Sequence, residues 1–337
     1  MDNKLMSRLR PFFIYDILIN ETDEKHPLST NDIIKRLEEK GAECERRALQ
    51  ADIKALQECG YPIKRIVSKD YKYFIQSRKF TDAEITTLMD AVQSVTFLTE
   101  DATWKIIEKL TILGGGGQEK KDKMLDSILF NSVHKTENDE VLHSAQIIEN
   151  ALTHNNKISF HYFHLNYKIE PEFKTEGENK KLYTVSPVAK TINNGNYYLL
   201  AITEGHEENL SIYRIDRMTD ATILNQHIEV KPDPQEIEKF KKQLFEMYRG
   251  TPLTVKVKVH KNLLSKIYDT FGSEQISLTP LQGNPDYFIF TCEVMNSDMF
   301  KAWCCSYGRK IEILSPQSFI DELAAYTKEL FDMYHNT

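Results

Sequence analysis

The segment Tyr183-Thr184-Val185-Ser186-Pro187-Val188-Ala189-Lys190-Thr191 is joined, through Ile192 and the tetrapeptide Asn193-Asn194-Gly195-Asn196, to Tyr197-Tyr198-Leu199-Leu200-Ala201-Ile202. Both flanks are rich in aromatic and β-branched residues, which suit a pleated, half-buried surface. Between them, Asn and Gly accept positive φ at little cost, so the spacing predicts a β-hairpin turning at residues 193–196. Lys157 to Phe163, Lys168 to Pro171, Leu210 to Asp216 and Ala221 to Leu224 also read as strands. Short strands joined by close turns predict a small β-barrel.

On the C-terminal side, Asp233 before Pro234 and Glu236 supplies an N-cap, a proline at N1 and an acidic first turn, predicting a helix to about Tyr248. The remainder reads strand (Thr254 to Val259), helix (Asn262 to Phe271), strand (Tyr287 to Val294), helix (Ser297 to Tyr307), strand (Lys310 to Leu314) and helix (Pro316 to Tyr334). That order is a compact α/β unit.

At the other end, Leu5, Leu9, Phe12, Phe13, Tyr15, Ile17 and Leu18 give a first helix ending near Asn20. Ser29 with Asp32 resembles a capping box and opens a second helix that stops at Gly41. Glu43 to Cys59 reads as a third, with Leu49, Ile53 and Leu56 on one face. Ile63 to Val67 and Tyr71 to Ile75 follow as two short strands. Helix, helix, turn, helix, hairpin is the order of a winged helix-turn-helix. From Thr81 a capping box with Glu84 starts amphipathic helices running to about Leu113, Gly114 to Gly117 reads as a flexible break, and a second helical stretch runs from Met124 through a polar break near Asn138 to about Thr153. The expected fold is α+β and multidomain: residues 1–78, a helical linker 79–137, a Sm/SH3-like β-barrel within 138–230, and an α/β extension 231–337.

A length of 337 residues fits two or three cores, and 41% apolar with 28% charged residues is ordinary for a globular chain. No leader-like apolar stretch follows Met1 and no membrane-length apolar run occurs, so the expected location is the cytoplasm. Cys44, Cys59, Cys292, Cys304 and Cys305 form an odd set without a Cys-x-x-Cys pair and are expected as reduced, mostly packed thiols. The net charge of −7 argues against a chain that coats nucleic acid along its length. Residues 1–78 nevertheless hold 15 Lys and Arg against 13 Asp and Glu, a net of +2, leaving −9 for the rest.

Arg46, Arg47, Gln50 and Lys54 lie opposite the apolar face of the third helix. Arg can take guanine edges or phosphates, Gln can read adenine, and Lys neutralises phosphate. A charged helix face is ordinarily just solvated. Its place after a second helix opened by Ser29 and Thr30, and before a wing carrying Lys64 and Arg65, favours DNA contact for this one. His161 and His164 could pass for a metal pair, but strand alternation splits them across faces and no carboxylate or thiolate cluster accompanies them. Gly114 to Gly117 lacks the Gly-Lys-Ser/Thr ending of a phosphate loop. No catalytic set can be placed, so an enzyme is not expected, nor is a cofactor or metal.

Three stretches resemble the WYL-domain family of bacterial regulators: Tyr183 to Pro187; Gly195-Asn196-Tyr197-Tyr198-Leu199-Leu200-Ala201; and Tyr213-Arg214-Ile215-Asp216-Arg217-Met218. Tyr197 stands where the family has its tryptophan. Arg46 to Leu56 is similar to the third helix of a DeoR-like helix-turn-helix, with Ala48 and Ala51 replacing a threonine and an arginine. Phe300 to Trp303, Tyr307-Gly308-Arg309 and Ile311 to Pro316 resemble the C-terminal extension of such proteins. The resemblance implies a homodimeric transcription regulator that binds a double-stranded operator and is controlled by an effector, a nucleotide or single-stranded DNA, at a surface including Tyr198, Tyr213, Arg214, Arg217 and Arg309. A nucleic-acid-binding accessory protein of a phage-defence system is the alternative. For the arginines a structural role also stands open, with Arg217 paired to Asp216 or another carboxylate. On a regular strand, residues three apart face opposite ways, so Arg214 and Arg217 share a ligand only where a bulge or the strand end intervenes.

Overall fold

The computed structural model describes residues 3–67, 70–126, 133–206, 210–228, 232–273 and 276–335. The chain forms two compact units, one of Met1–Gln146, Tyr162–Lys174 and Ile215–Asp220, the other of Ile147–His161, Thr175–Arg214 and Ala221–Thr337. The architecture is mixed α+β with small antiparallel sheets.

The N-terminal module runs α1 (Asn3–Glu21), β1 (Leu28–Ser29), α2 (Thr30–Glu39), α3 (Arg46–Glu58), β2 (Ile63–Ile66) and β3 (Lys72–Ile75), with sheet order β1-β3-β2. Ile33 and Leu37 on α2, and Leu49, Ile53 and Leu56 on α3, repeat at helical spacing and close on Ile14, Ile17 and Leu18 of α1. Each such side chain taken fully from water stabilises by roughly 1.5–3 kcal/mol. Ser29 and Asp32 form the expected capping box of α2. The third helix begins at Arg46, three residues later than its sequence reads, because Glu45 takes the extended N-cap conformation. Strand β1 has no sequence signature of its own, being two residues paired to Tyr73 and Lys72. Ser68 and Lys69, which follow β2 in sequence, lie outside the described residues.

The linker helices are α4 (Asp82–Ser94), capped by Thr81 and Glu84, α5 (Glu100–Gly114) and α6 (Gly117–Asp126), with a separate core at Ile85, Met89 and Ile107. The helical stretch expected from Met124 coincides with the end of α6 and, beyond the polar break near Asn138, with α7 (Val141–His154), while residues 127–132 lie outside the described residues. The glycine run is not a loose break. Gly114, Gly115 and Gly116 are buried, and Gly115, Gly116 and Gly117 hold φ of 60°, 92° and 79°. Glycine is used there because packed neighbours demand a left-handed backbone.

Next come α7 (Val141–His154), β4 (Asn156–Leu165), β5 (Pro171–Phe173), β6 (Thr175–Glu176), β7 (Asn179–Lys180), β8 (Leu182–Asn193), β9 (Asn196–Thr203), β10 (Leu210–Arg214), a 3₁₀ turn (Ile215–Arg217) and β11 (Met218–His227). The main sheet runs β10-β9-β8-β4-β11, and β5 pairs β4. The β8–β9 hairpin closes at Asn194 and Gly195, with φ of 47° and 72°, as the opening tetrapeptide predicts. Of the strand expected over Lys168 to Pro171 only Pro171 is one, the start of β5; Lys168 to Glu170 form a turn, in which the Asn166 side-chain oxygen accepts from the backbone N–H groups of Lys168 and Glu170, curling the chain on itself.

The C-terminal part runs α8 (Pro234–Gln243), β12 (Thr251–His260), α9 (Leu264–Phe271), β13 (Thr279–Pro280), β14 (Tyr287–Asn296), α10 (Asp298–Ser306), β15 (Ile311–Ser315) and α11 (Gln317–His335), with sheet order β13-β14-β12-β15. Alternate residues Val255, Val257 and Val259 meet Phe290, Phe300 and Phe319 in the core. Helix α8 stops short of Tyr248, since Leu244 turns extended and Glu246 and Met247 adopt positive φ. Among the described residues no helix is long and apolar enough to cross a membrane, and no group of metal-binding side chains occurs.

Candidate functional site

The outer side of α3 carries Arg46, Arg47 and Lys54 exposed to solvent, with Gln50 half-buried beside them. Their own partners are weak surface ones. Arg46 lies 3.5 Å from Asp70, and Lys54 3.7 Å from Glu58; pairs of this kind contribute about 0–1 kcal/mol and give way readily to a phosphate. On the β2–β3 hairpin, Lys64 and Arg65 are exposed, and Arg65 sits 4.7 Å from the Tyr71 ring centroid. Lys72, not singled out in the sequence, is an exposed cation opposite Ile66 on the same hairpin.

Two residues expected as contacts are tied within the module. Thr30 is 1% exposed, and both its N–H and its hydroxyl donate to the carbonyl of Tyr71. Its side chain is therefore committed inside the module. The Ser29 hydroxyl is engaged with Asp32, whose carboxyl is held below the usual carboxylate range chiefly by that hydrogen bond. Position within α3 is reinforced by Arg10 of α1, whose Nε donates to Asp52 at 2.6 Å. Sequence periodicity gave no sign of that partner, 42 residues away.

In the main sheet, Arg214 on β10 stands directly opposite Tyr198 on β9, and Tyr198 opposite Thr191 on β8. Directly opposed residues share a face, so Thr191, Tyr198 and Arg214 form one cross-strand row. Tyr213 points the other way. It is 8% exposed, its hydroxyl is 2.8 Å from Thr203 Oγ1, and its ring meets Phe160 and Tyr183 edge-on at 5.2 and 5.8 Å. Tyr213 therefore sits in the core, because the strand period places neighbours on opposite faces. On that other face Lys190 approaches the Tyr197 ring at 5.6 Å and pairs with Glu149.

The WYL domain family matches residues 144–223, from α7 into β11, and the WCX domain family matches residues 251–331, from β12 into α11. The chain thus carries a WYL domain and a WCX domain. Among solved structures, proteasome accessory factor B/C of Arthrobacter aurescens is 14% identical, with 94% of this chain and 45% of that one covered and a TM-score of 0.24. The present chain thus spans less than half of that protein. A CRISPR Cas-related protein is 11% identical over 99% of this chain and 86% of its own, with a TM-score of 0.36. No curated protein matches the chain.

Within the WYL segment, β10 ends at Arg214 and the 3₁₀ turn follows at once, so the alternation rule no longer opposes Arg214 to Arg217. The turn carrying Arg217 is fixed by Asn138, whose amide nitrogen donates to the carbonyls of Asp216 and Met218 at 3.0 and 2.8 Å. Asn138 read in sequence only as a polar break. Arg309 lies exposed in the turn before β15 of the WCX segment, in a different sheet from Tyr198 and Arg214. His161 bonds the carbonyl of Lys181, while His164 meets the Tyr162 ring, so the two histidines of this WYL protein have ordinary partners. All five cysteines are free, and burial pushes the Cys292 and Cys304 thiols up to about 12.

Proposed function

We propose that this WYL-type regulator is a DNA-binding transcription factor whose N-terminal module is a winged helix-turn-helix with α3 in the major groove. The observation that supports the reading most is the outer face of α3. Arg46, Arg47 and Lys54 stand exposed on a helix whose inner face is locked by Leu49, Ile53 and Leu56. A rigid helix presenting cations and an amide is suited to phosphates and base edges, and the Lys64–Arg65 wing to the adjoining backbone. The chain acts as a homodimer on a palindromic duplex, its helical linker setting the spacing. The five-strand path of the WYL segment is read as the small barrel, and its Thr191–Tyr198–Arg214 row takes a phosphate-bearing effector, the guanidinium holding phosphate and the ring stacking on a base. Capture of genomic fragments by the purified full-length chain tests the reading. Enrichment of duplexes sharing an inverted repeat is expected, and uniform recovery of all fragments contradicts it.

A further inference from the structure

The N-terminal module and the linker helices have separate apolar cores, and among the described residues those two clusters share no member. Polar contacts join them. Arg78, between β3 and α4, turns back so that Nη2 donates to the carbonyl of Ile19 at 2.7 Å and to that of Thr22. It thereby caps the end of α1, where helix carbonyls lack intrahelical partners. Lys120 of α6 reaches three elements at once: Asp23 after α1 at 3.4 Å, Asp82 at the start of α4 at 2.7 Å, and the carbonyl of Gly114 at the end of α5 at 3.4 Å.

The glycine turn is shaped around this knot. A Cβ at Gly115 would lie 2.3 Å from Arg78, one at Gly116 2.3 Å from Lys120 and 2.5 Å from Asp23, and one at Gly117 3.1 Å from the carbonyl of Glu21. Three successive glycines therefore fit three different parts of the same junction. A cleft of about 590 Å³ lies alongside, bordered by Asp23, His26, Phe80 and Lys120.

We propose that Arg78, seated against the Gly115–Gly117 turn, is a positioning residue that sets the orientation of the DNA-binding module on its linker. The inference rests on the DNA-binding reading above. Its consequence is specific: a module held in one orientation binds two half-sites of fixed spacing far better than one, whereas a loosened module loses that advantage and keeps its single-site affinity.

The test uses the full-length chain with spin labels on Lys35→Cys and Lys109→Cys, both exposed, in a Cys59→Ser background diluted into unlabelled chain. One narrow distance is expected for the parent, a broadened distribution for Arg78→Met, and a distribution close to the parent's for Arg78→Lys, which retains a donor. On duplex DNA, Arg78→Met should weaken binding to the two-half-site operator by about tenfold or more while changing single half-site binding by less than about twofold. Equal weakening on both duplexes, or an unbroadened distribution, overturns the proposal. Absence of duplex binding by the parent chain instead removes the DNA-binding reading, and with it any role of Arg78 in positioning for DNA; the distance measurement then still reports separately whether Arg78 holds the junction.

Discussion

Helix α3 and strand β10 each carry a short run of residues proposed for recognition, and the two runs are disposed differently. On α3, positions 46, 47, 50 and 54 fall on the side away from Leu49, Ile53 and Leu56, so the whole run stays at or near the surface. On β10, Tyr213 and Arg214 are neighbours, and neighbours on a strand face opposite ways: Tyr213 enters the aromatic core while Arg214 joins Tyr198 across the ladder. A contiguous motif on a helix can be all site, whereas on a strand it divides between site and core.

The largest effect that can break this contrast is in stability. Tyr213→Ala is expected to cost about 3–5 kcal/mol, as for other large aromatic truncations in a core, while Tyr198→Ala, on the opposite face, should cost less than about 1 kcal/mol. Urea unfolding of both variants measures it, and equal losses would mean that the two rings do not divide as described. A smaller effect sharpens the N-terminal side. Ser29→Ala should destabilise the module by about 1 kcal/mol, the usual worth of a helix N-cap. Because the hydroxyl holds Asp32 below its ordinary value in the folded chain, that stability is present above the unfolded carboxylate range and disappears as pH falls through the folded value. Melting curves at neutral pH and near pH 3 should show the difference between parent and variant shrinking in acid. A difference that grows in acid would exclude the capping role.

The elements most legible in the sequence are those set by local chemistry. Asn194 and Gly195 make their turn from their own φ preferences, and Ser29 and Thr81 announce their helices by hydrogen bonds three residues on. Less legible are features decided by distant partners. Gly114 to Gly117 looks loose in isolation and is tight because Arg78 and Lys120 arrive from elsewhere. Thr30 looks like a contact residue until Tyr71, 41 positions away, takes its hydroxyl. For the same reason Asn138, which fixes the Arg217 turn from 78 residues upstream, carried no signal.

Helix α3 is proposed as the DNA-reading element, and one titration addresses it. Full-length parent chain and the Arg46→Ala/Arg47→Ala variant are titrated onto the same operator duplex at two salt concentrations, with thermal melting to show that both remain folded. Loss of about two phosphate contacts should weaken the variant by about tenfold or more and flatten its dependence of log affinity on log salt by roughly one to two. A variant that binds with the parent's affinity and the parent's salt slope would contradict the assignment of α3.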